Sequence, residues 1–342
     1  MNPPAQKHLI IVDGHHLMYR AYWAIPRTMK NRKGEQVNTS FGVASMLMMM
    51  LKTEQPDSIL FCFDADEDTF RHKEYAEYKA GRAETPDDFY IQIPRTLSLI
   101  DTFGIKSVSG GGFEADDFAC TYARVAEKAG YRVTVISGDR DLFQLASSTI
   151  RVAIPHKGYQ AAEYLGPAEV FKKFGVTPEQ IPSYKGLVGD SSDNLKGVKG
   201  IGPKAAEVLI QKYGSIENIY AHLPEIKEAW RTRLEADREQ AFFCERMALL
   251  KCDIDLPVPL EDLEFTGIHT SPILKLFADL EFFLVTRRFL SLLESPYGRA
   301  HFIADATTEA EEIFSAHSSR SQQSGVSAAP SPVEEPSQLS LL

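Results

Sequence analysis

The 342-residue sequence predicts an α/β protein: a mostly parallel sheet covered by helices on both faces, followed by a smaller helical domain. Three observations carry this prediction. Through roughly the first half, short β-rich apolar runs alternate with amphipathic helical stretches, the pattern of a parallel sheet wrapped by crossover helices. Beyond about Phe174 the strand signal stops, and short helical patterns alone continue to about Leu293. The length also suffices for one large domain and a second with its own core.

Taken in order, strands are expected at residues 8–12, 58–63, 105–108 and 131–137, with helices between them. Thr85-Pro86-Asp87-Asp88 reads as a helix start, with Thr85 as N-cap, Pro86 at the first position and two acids near the positive end of the dipole. Residues 115–129 read as another helix, closed by Gly130. The α/β domain is assigned to residues 1–175 and the helical domain to 176–295. The centre of the latter, 185–212, holds Lys185, Lys196, Lys199, Lys204 and Lys212 against Asp190, Asp193 and Glu207. From 296 onward apolar residues thin out, and 318–337 is rich in Ser, Gln, Ala and Pro, which bury too little surface to order themselves. Residues 296–342 are therefore expected to form a flexible acidic tail. No internal repeat is found.

Hydrophobic content of 44% and charged content of 25% are ordinary for a globular protein. No apolar run approaches the ~20 residues that span a bilayer, and no basic segment with a signal-peptide core opens the chain, so a cytoplasmic location is expected. Cys62, Cys120, Cys244 and Cys252 form no C-x-x-C pair, and all four are expected as reduced core thiols. The formal charge of −10 is unevenly distributed: residues 301–342 hold six acids against Arg320 alone, leaving −5 on the body. If nine acids cluster around metal, as argued next, the rest of that body carries +4 and is free to meet phosphates.

In open parallel sheets functional groups gather at the carboxyl ends of the strands. Here the run 10–12 leads to Asp13, 59–63 leads to Asp64, and 133–136 leads through Ser137-Gly138 to Asp139 and Asp141. A glycine-rich turn, Gly110 to Gly112, delivers Glu114, Asp116 and Asp117 to a helix start. Singly, each acid could cap a turn or complement a helix dipole. Together, seven at one sheet edge would repel strongly unless cations neutralised them. Asp190 and Asp193, three apart and on one face if helical, bring the set to nine. Oxygen ligands without His or Cys suit Mg²⁺ or Mn²⁺ rather than zinc. Two such ions about 4 Å apart serve phosphodiester hydrolysis: one activates water, and both neutralise charge on the phosphate and leaving oxygen. A second signal is the stretch from Gly197 to Lys204. Its closely spaced glycines before a helix let N–H groups approach a phosphate, while Lys199 and Lys204 add charge without reading bases. It is no nucleotide fingerprint, since no strand precedes it and no G-K-[ST] follows.

The stretches I-I-V-D-G-H-H-L-M-Y-R-A, F-C-F-D, F-R-H-K-E-Y-A-E-Y-K-A-G-R, G-G-F-E-A-D-D, S-G-D-R-D-L-F-Q-L and L-V-G-D-S-S-D-N-L-K-G-V-K-G-I-G-P-K-A-A closely resemble the 5′-nuclease family. That family comprises the N-terminal domain of bacterial DNA polymerase I, phage 5′-exonucleases and flap endonucleases, and the resemblance covers residues 8–293. It implies a PIN-like 5′-nuclease fold with a helical arch at about 66–86 and a helix-hairpin-helix (helix-three-turn-helix) at about 185–212. It also implies 5′-3′ exonuclease and 5′-flap endonuclease activity on DNA, by two metal ions, in removal of flaps or RNA primers. By the same resemblance Asp13, Asp64, Glu114 and Asp116 match the tighter metal group. Asp117, Asp139, Asp141, Asp190 and Asp193 match the second, and none of the nine is replaced. Lys79 and Arg82 match the arch bases that reach the scissile phosphate, while Tyr75 and Tyr78 in the same stretch offer rings for stacking on an unpaired base, with ordinary core packing as the alternative. Arg20 matches a further phosphate-contacting base. Lys199, Gly200, Gly202 and Lys204 match the hairpin that grips duplex DNA and often binds K⁺ through carbonyls.

The chain ends Gln338-Leu339-Ser340-Leu341-Leu342, which resembles the bacterial sliding-clamp-binding peptide Q-L-[SD]-L-F with Leu342 in place of Phe. A coil of about 40 residues has a root-mean-square reach of roughly 35 Å, enough for a tethered nuclease to find DNA beside a clamp. These features lead us to expect a standalone bacterial enzyme. The rivals are an N-terminal fragment of a DNA polymerase I, a non-catalytic structure-specific DNA-binding protein, and a ribonuclease on a related acidic fold.

Overall fold

A computed structural model describes residues 6–82, 84–156 and 158–305. Its centre is β1 (His8–Asp13), in which successive side chains point to opposite faces. Leu9 and Ile11 enter one apolar core and Ile10 and Val12 the other, the two-sided burial of a central parallel strand. The chain continues through α1 (Gly14–Ala24), α2 (Asn38–Glu54), β2 (Ser58–Cys62), α3 (Phe70–Glu74), α4 (Asp87–Tyr90), α5 (Ile93–Thr102), β3 (Lys106–Val108), α6 (Ala115–Lys128) and β4 (Arg132–Ile136). β5 (Ile150–His156), β6 (Gly158–Leu165) and α7 (Pro167–Phe174) complete this part. The sheet order is β3-β2-β1-β4-β5-β6; β6 alone runs antiparallel to its neighbour. Helices cover both faces, α6 in one core and α1, α2 and α5 in the other.

The four expected strands are present, with ends shifted by a residue or so. β5 and β6 escape the sequence reading for a physical reason. β5 carries Pro155 and an irregular register between Ile154 and His156, and β6 is an edge strand with half of its residues exposed, so neither forms a clean apolar run. The expected helix start at Thr85 is also corrected. Pro86 is the N-cap and α4 lasts only four residues, because Asp88 is drawn to the Tyr22 hydroxyl (2.7 Å) and to Arg27 (3.1 Å).

The helical part contains α8 (Ile181–Val188), α9 (Pro203–Tyr213), α10 (Ile216–Ala221), α11 (Glu228–Ala236) and α12 (Arg238–Ala248). α8 and α9 are joined by a hairpin whose short antiparallel pair is Gly189–Asp190 with Leu195–Lys196. A Cβ on Gly197 would meet the Gly189 nitrogen, so only glycine allows this crossing. Apolar residues from Val176 to Ala241 share a core with the α6 face of the sheet, while Leu195 of the hairpin packs with Tyr78, Cys244 and Met247. Then α13 (Thr270–Asp279), α14 (Phe283–Leu293) and α15 (Pro296–His301) return to the opposite face, in the core of α2 and α5.

Two further expectations are corrected. Residues 296–303 are not tail: Tyr297 and Phe302 are buried, Tyr297 donates to the Pro56 carbonyl (2.8 Å), and Phe302–Ile303 pairs with Ile268–His269. Nor are all cysteines free thiols. Cys120 of α6 and Cys252 form a disulfide with Cα atoms 4.9 Å apart, because the segment after α12 folds back across α6. A separation of 132 residues leaves no spacing signature. Cys62 and Cys244 are buried free thiols, as expected. Among the described residues no helix is long and apolar enough to cross a membrane. The clamp-like residues Gln338, Leu339, Leu341 and Leu342 lie outside the described residues.

Candidate metal centre and nucleic-acid interface

Strand register sets the first acids side by side. Asp13 ends β1 opposite Cys62, two residues before Asp64, and Val12 pairs with Ile136, three before Asp139. Asp13 caps α1 through the His16 N–H (3.0 Å) and accepts from Ser137 Oγ (2.8 Å). Asp64 accepts from the Ala115 N–H (2.9 Å), which ties β2 to the start of α6. Burial raises the Asp13 carboxyl above its ordinary range, and Asp64 raises it further. Asp116 is pushed well up by burial and by the charges of Asp139, Asp13 and Asp64. Asp64 is held low: burial opposes ionisation, but His15 and Lys79 outweigh it. This end of the sheet thus concentrates negative charge that its own protein groups only partly relieve.

The hairpin supplies the other side. Oxygen atoms of Asp141, Asp190 and Asp193 lie within 4.8 Å of one another, close enough to share a cation. Buried Lys185 of α8 contacts both Asp141 and Asp190. Even so, burial pushes Asp141 up to about 7, with repulsion from Asp139 and Asp193 opposing the help of Lys185. Asp190, against the cost of burial, is drawn down to about 2 by Lys185 and Ser192.

Asp117 stands apart from the other acids. Fully buried, it takes Arg71 bidentately (2.8 and 2.9 Å), the Lys251 N–H (2.9 Å) and the Glu114 N–H (3.2 Å). Arg71, 1% exposed, also reaches Glu114 (3.1 Å) and the Met247 and Leu249 carbonyls. These bonds turn the Asp117 carboxylate to the interior and tie α3 to both domains.

The expected arch is, over 66–82, the short α3 and a succession of turns lying against the helical domain. Lys79 sits at φ 58° with its N–H on the Asp193 carbonyl (3.1 Å) and its ammonium on Glu114 (2.7 Å). Burial would lower this ammonium, but Glu114, Asp64 and Asp193 raise it above its ordinary value. Arg82 reaches Asp193 (2.7 Å). Tyr78 is buried, its hydroxyl donating to Glu114 (3.2 Å) and Asp193 (3.3 Å), so it is a packing residue and not open for base stacking. Tyr75 is half-buried, edge-on to Phe243. Arg20 donates to the His156 carbonyl (2.7 Å) beside β5, with no carboxylate partner among the described residues.

At the hairpin, Lys199, Gly200, Gly202 and Lys204 are all exposed. Gly200 has φ +81° and Gly202 is the N-cap of α9. Sequence reasoning missed Arg71, Lys185 and Arg233, whose Nη1 donates to the Gly200 carbonyl (2.6 Å). Arg71 lay inside a quoted motif and Lys185 inside a lysine count, yet no spacing rule gave either a partner.

Two family profiles match in order: "5′-3′ exonuclease, N-terminal resolvase-like domain" over residues 8–175 and "5′-3′ exonuclease, C-terminal SAM fold" over 176–271. The chain is 40% identical to DNA polymerase I of Bacillus subtilis over 81% of its length, covering 32% of that protein. It is 41% identical to thermostable DNA polymerase I of Thermus thermophilus over 73% of its length, covering 29% of it. It thus spans about a third of the length of these relatives. Among solved structures, T5 5′-exonuclease with bound zinc superposes with TM-score 0.61 at 20% identity, over 84% of this chain and 99% of that one. Human GEN1 in complex with Holliday junction DNA gives TM-score 0.53 at 17% identity, over 83% and 71%. At those identities the likeness is one of fold. The two profiles together span the sheet with its acidic edge and the hairpin domain facing it, and the chain belongs to the 5′-3′ exonuclease family.

Proposed function

We propose that this chain is a structure-specific 5′-nuclease that hydrolyses DNA phosphodiesters at 5′ ends, nicks and flaps. One observation carries the reading: Asp141, from the sheet's edge, lies within 4.8 Å of Asp190 and Asp193 of the hairpin domain, with two bases of the 66–82 segment resting on Glu114 and Asp193. The donor set fits hard divalent cations, Mg²⁺ or Mn²⁺, because every candidate ligand is a carboxylate oxygen and several of these carboxylates cost free energy to ionise where they stand. Asp13, Asp64, Glu114 and Asp116 would hold one ion, and Asp139, Asp141, Asp190 and Asp193 the other. Asp117 acts on the site through Arg71 and Glu114. When bound, the ions supply an activated water and neutralise the phosphate.

The chain's own groups then position the substrate. Lys79 and Arg82 stay protonated at neutral pH and offer their charge to a phosphate that displaces Glu114 and Asp193 as their partner. Arg20 and the hairpin bases Lys199 and Lys204 hold backbone phosphates on the flanking duplex. A potassium ion at the turn would share the Gly200 carbonyl with Arg233 and the Lys196 carbonyl with the Cys244 thiol. RNA–DNA hybrids and the sliding clamp remain candidate partners. The clamp is tested by removing the last five residues, which should abolish a clamp pull-down; undiminished capture would reject the peptide's role.

The proposal is tested with an end-labelled 5′-flap duplex. Cleavage near the single-strand to double-strand junction is expected with Mg²⁺ and none with EDTA. Asp139→Asn should cut at least ~10²-fold more slowly while still binding the flap. Equal cleavage by both proteins would reject the assignment.

A further inference from the structure

We propose that Arg233, on α11, is a phosphate-binding residue of the hairpin, completing a duplex grip whose other charges come from Lys199 and Lys204. This inference rests on reading the chain as a duplex-binding nuclease. Arg233 is exposed and, among the described residues, has no carboxylate partner. Its guanidinium lies flat against the turn: Nη1 donates to the Gly200 carbonyl at 2.6 Å, and a Cβ on Gly200 would come within 3.0 Å of Arg233 Cζ. The bond consumes one N–H and fixes the orientation of the rest of the fork. Asp237, one helical turn further, receives the Lys199 N–H at 2.8 Å. The α11–α12 junction therefore clasps the turn at the adjacent residues Lys199 and Gly200, with Asp237 as a positioning residue and Arg233 carrying the free charge.

What faces this charge suits an anion. The first turn of α9 contains no acid, its N-cap Gly202 offers no side chain to satisfy the N–H groups, and a Cβ at Gly202 would meet nothing within 4 Å. The start of α9, the exposed Lys199 and Lys204 and the Arg233 fork thus border one open turn that holds no acid in its first helical turn. A phosphodiester backbone fits better than a protein carboxylate because the three charges are spread along the turn and none has a carboxylate partner among the described residues.

The test is the salt dependence of binding to a nicked duplex, read by fluorescence anisotropy without divalent ions over about 50 to 300 mM NaCl. Arg233→Gln keeps a donor for the Gly200 carbonyl but removes the charge. It is expected to bind about fivefold more weakly near 0.15 M salt and to lose about 0.9 from the slope of log K against log salt, as should Arg233→Ala. Lys275→Ala, which removes the same charge from α13, should keep the wild-type slope. If Arg233→Gln binds like wild type while Arg233→Ala does not, Arg233 is only a brace and the inference fails alone. If wild type itself shows no duplex binding, the nuclease reading fails with it.

Discussion

Arg71 is buried between two carboxylates and two backbone carbonyls that belong to different parts of the chain. Truncating it strands Asp117 without a counter-charge in the interior, so Arg71→Ala is expected to destabilise the fold by about 3–5 kcal/mol. Urea denaturation measures this, and a loss below about 1 kcal/mol would show that water reaches the pair. Lys79 has a different role. Half-buried at the rim, it should tolerate Lys79→Ala in the fold, while single-turnover cleavage slows by about 10²-fold; an unchanged rate would remove it from the chemistry. At this scale the sequence was informative about which acids come close together, because most followed an apolar run or opened a helix. It was silent on direction. Whether Asp117 looks into the pocket or away from it depends on Arg71, 46 residues earlier, and no local pattern records that pairing.

Among the elements, β1 shows why most of the sheet was legible: four apolar residues in a row, Leu9 to Val12, buried on both faces, end in an acid. β5 and β6 lacked this contrast, and so did the helix after Pro86, whose acids serve the loop beside α1. At the amino end of β1, His8 bridges Thr134 (2.9 Å) and the Glu54 carbonyl (3.1 Å). Burial, with Arg132 adding to it, lowers its imidazole from the ordinary 6.5 to about 4. Between those values the unfolded chain takes up a proton that the folded one refuses. The contribution of His8 is therefore complete above about 6.5 and is lost as pH falls through about 4. Stability from urea titrations should fall with acidification by up to about 1.4 kcal/mol per pH unit more in wild type than in His8→Gln; equal slopes would contradict a buried neutral His8. The Cys120–Cys252 pair, closing a 132-residue separation, is expected to contribute about 3–5 kcal/mol under oxidising conditions. Cys252→Ser and reduced wild type should then melt alike, below oxidised wild type; three equal melting temperatures would mean the bond does not form.

For the molecule as a whole, the decisive arrangement is that neither domain holds the full acid set. Asp13, Asp64, Glu114, Asp116 and Asp139 come from the sheet, Asp190 and Asp193 from the hairpin, and Asp141 meets the latter pair across the shared core. The acids placed at strand ends and at a helix start predicted such a cluster, but they could not foresee that Arg71, Lys79, Arg82 and Lys185 partly fill the role of the cations. Nor could it foresee that the chain after Glu294 returns to the sheet, since Tyr297 and Phe302 are two apolar residues in a polar stretch. The most direct test is calorimetric titration with Mn²⁺ of the wild type and of the Asp190→Asn/Asp193→Asn double variant. Two ions should bind the wild type and one the variant, whose melting temperature in EDTA stays near that of the wild type. Two ions in both proteins, or none in the wild type, would contradict a centre assembled from the two domains.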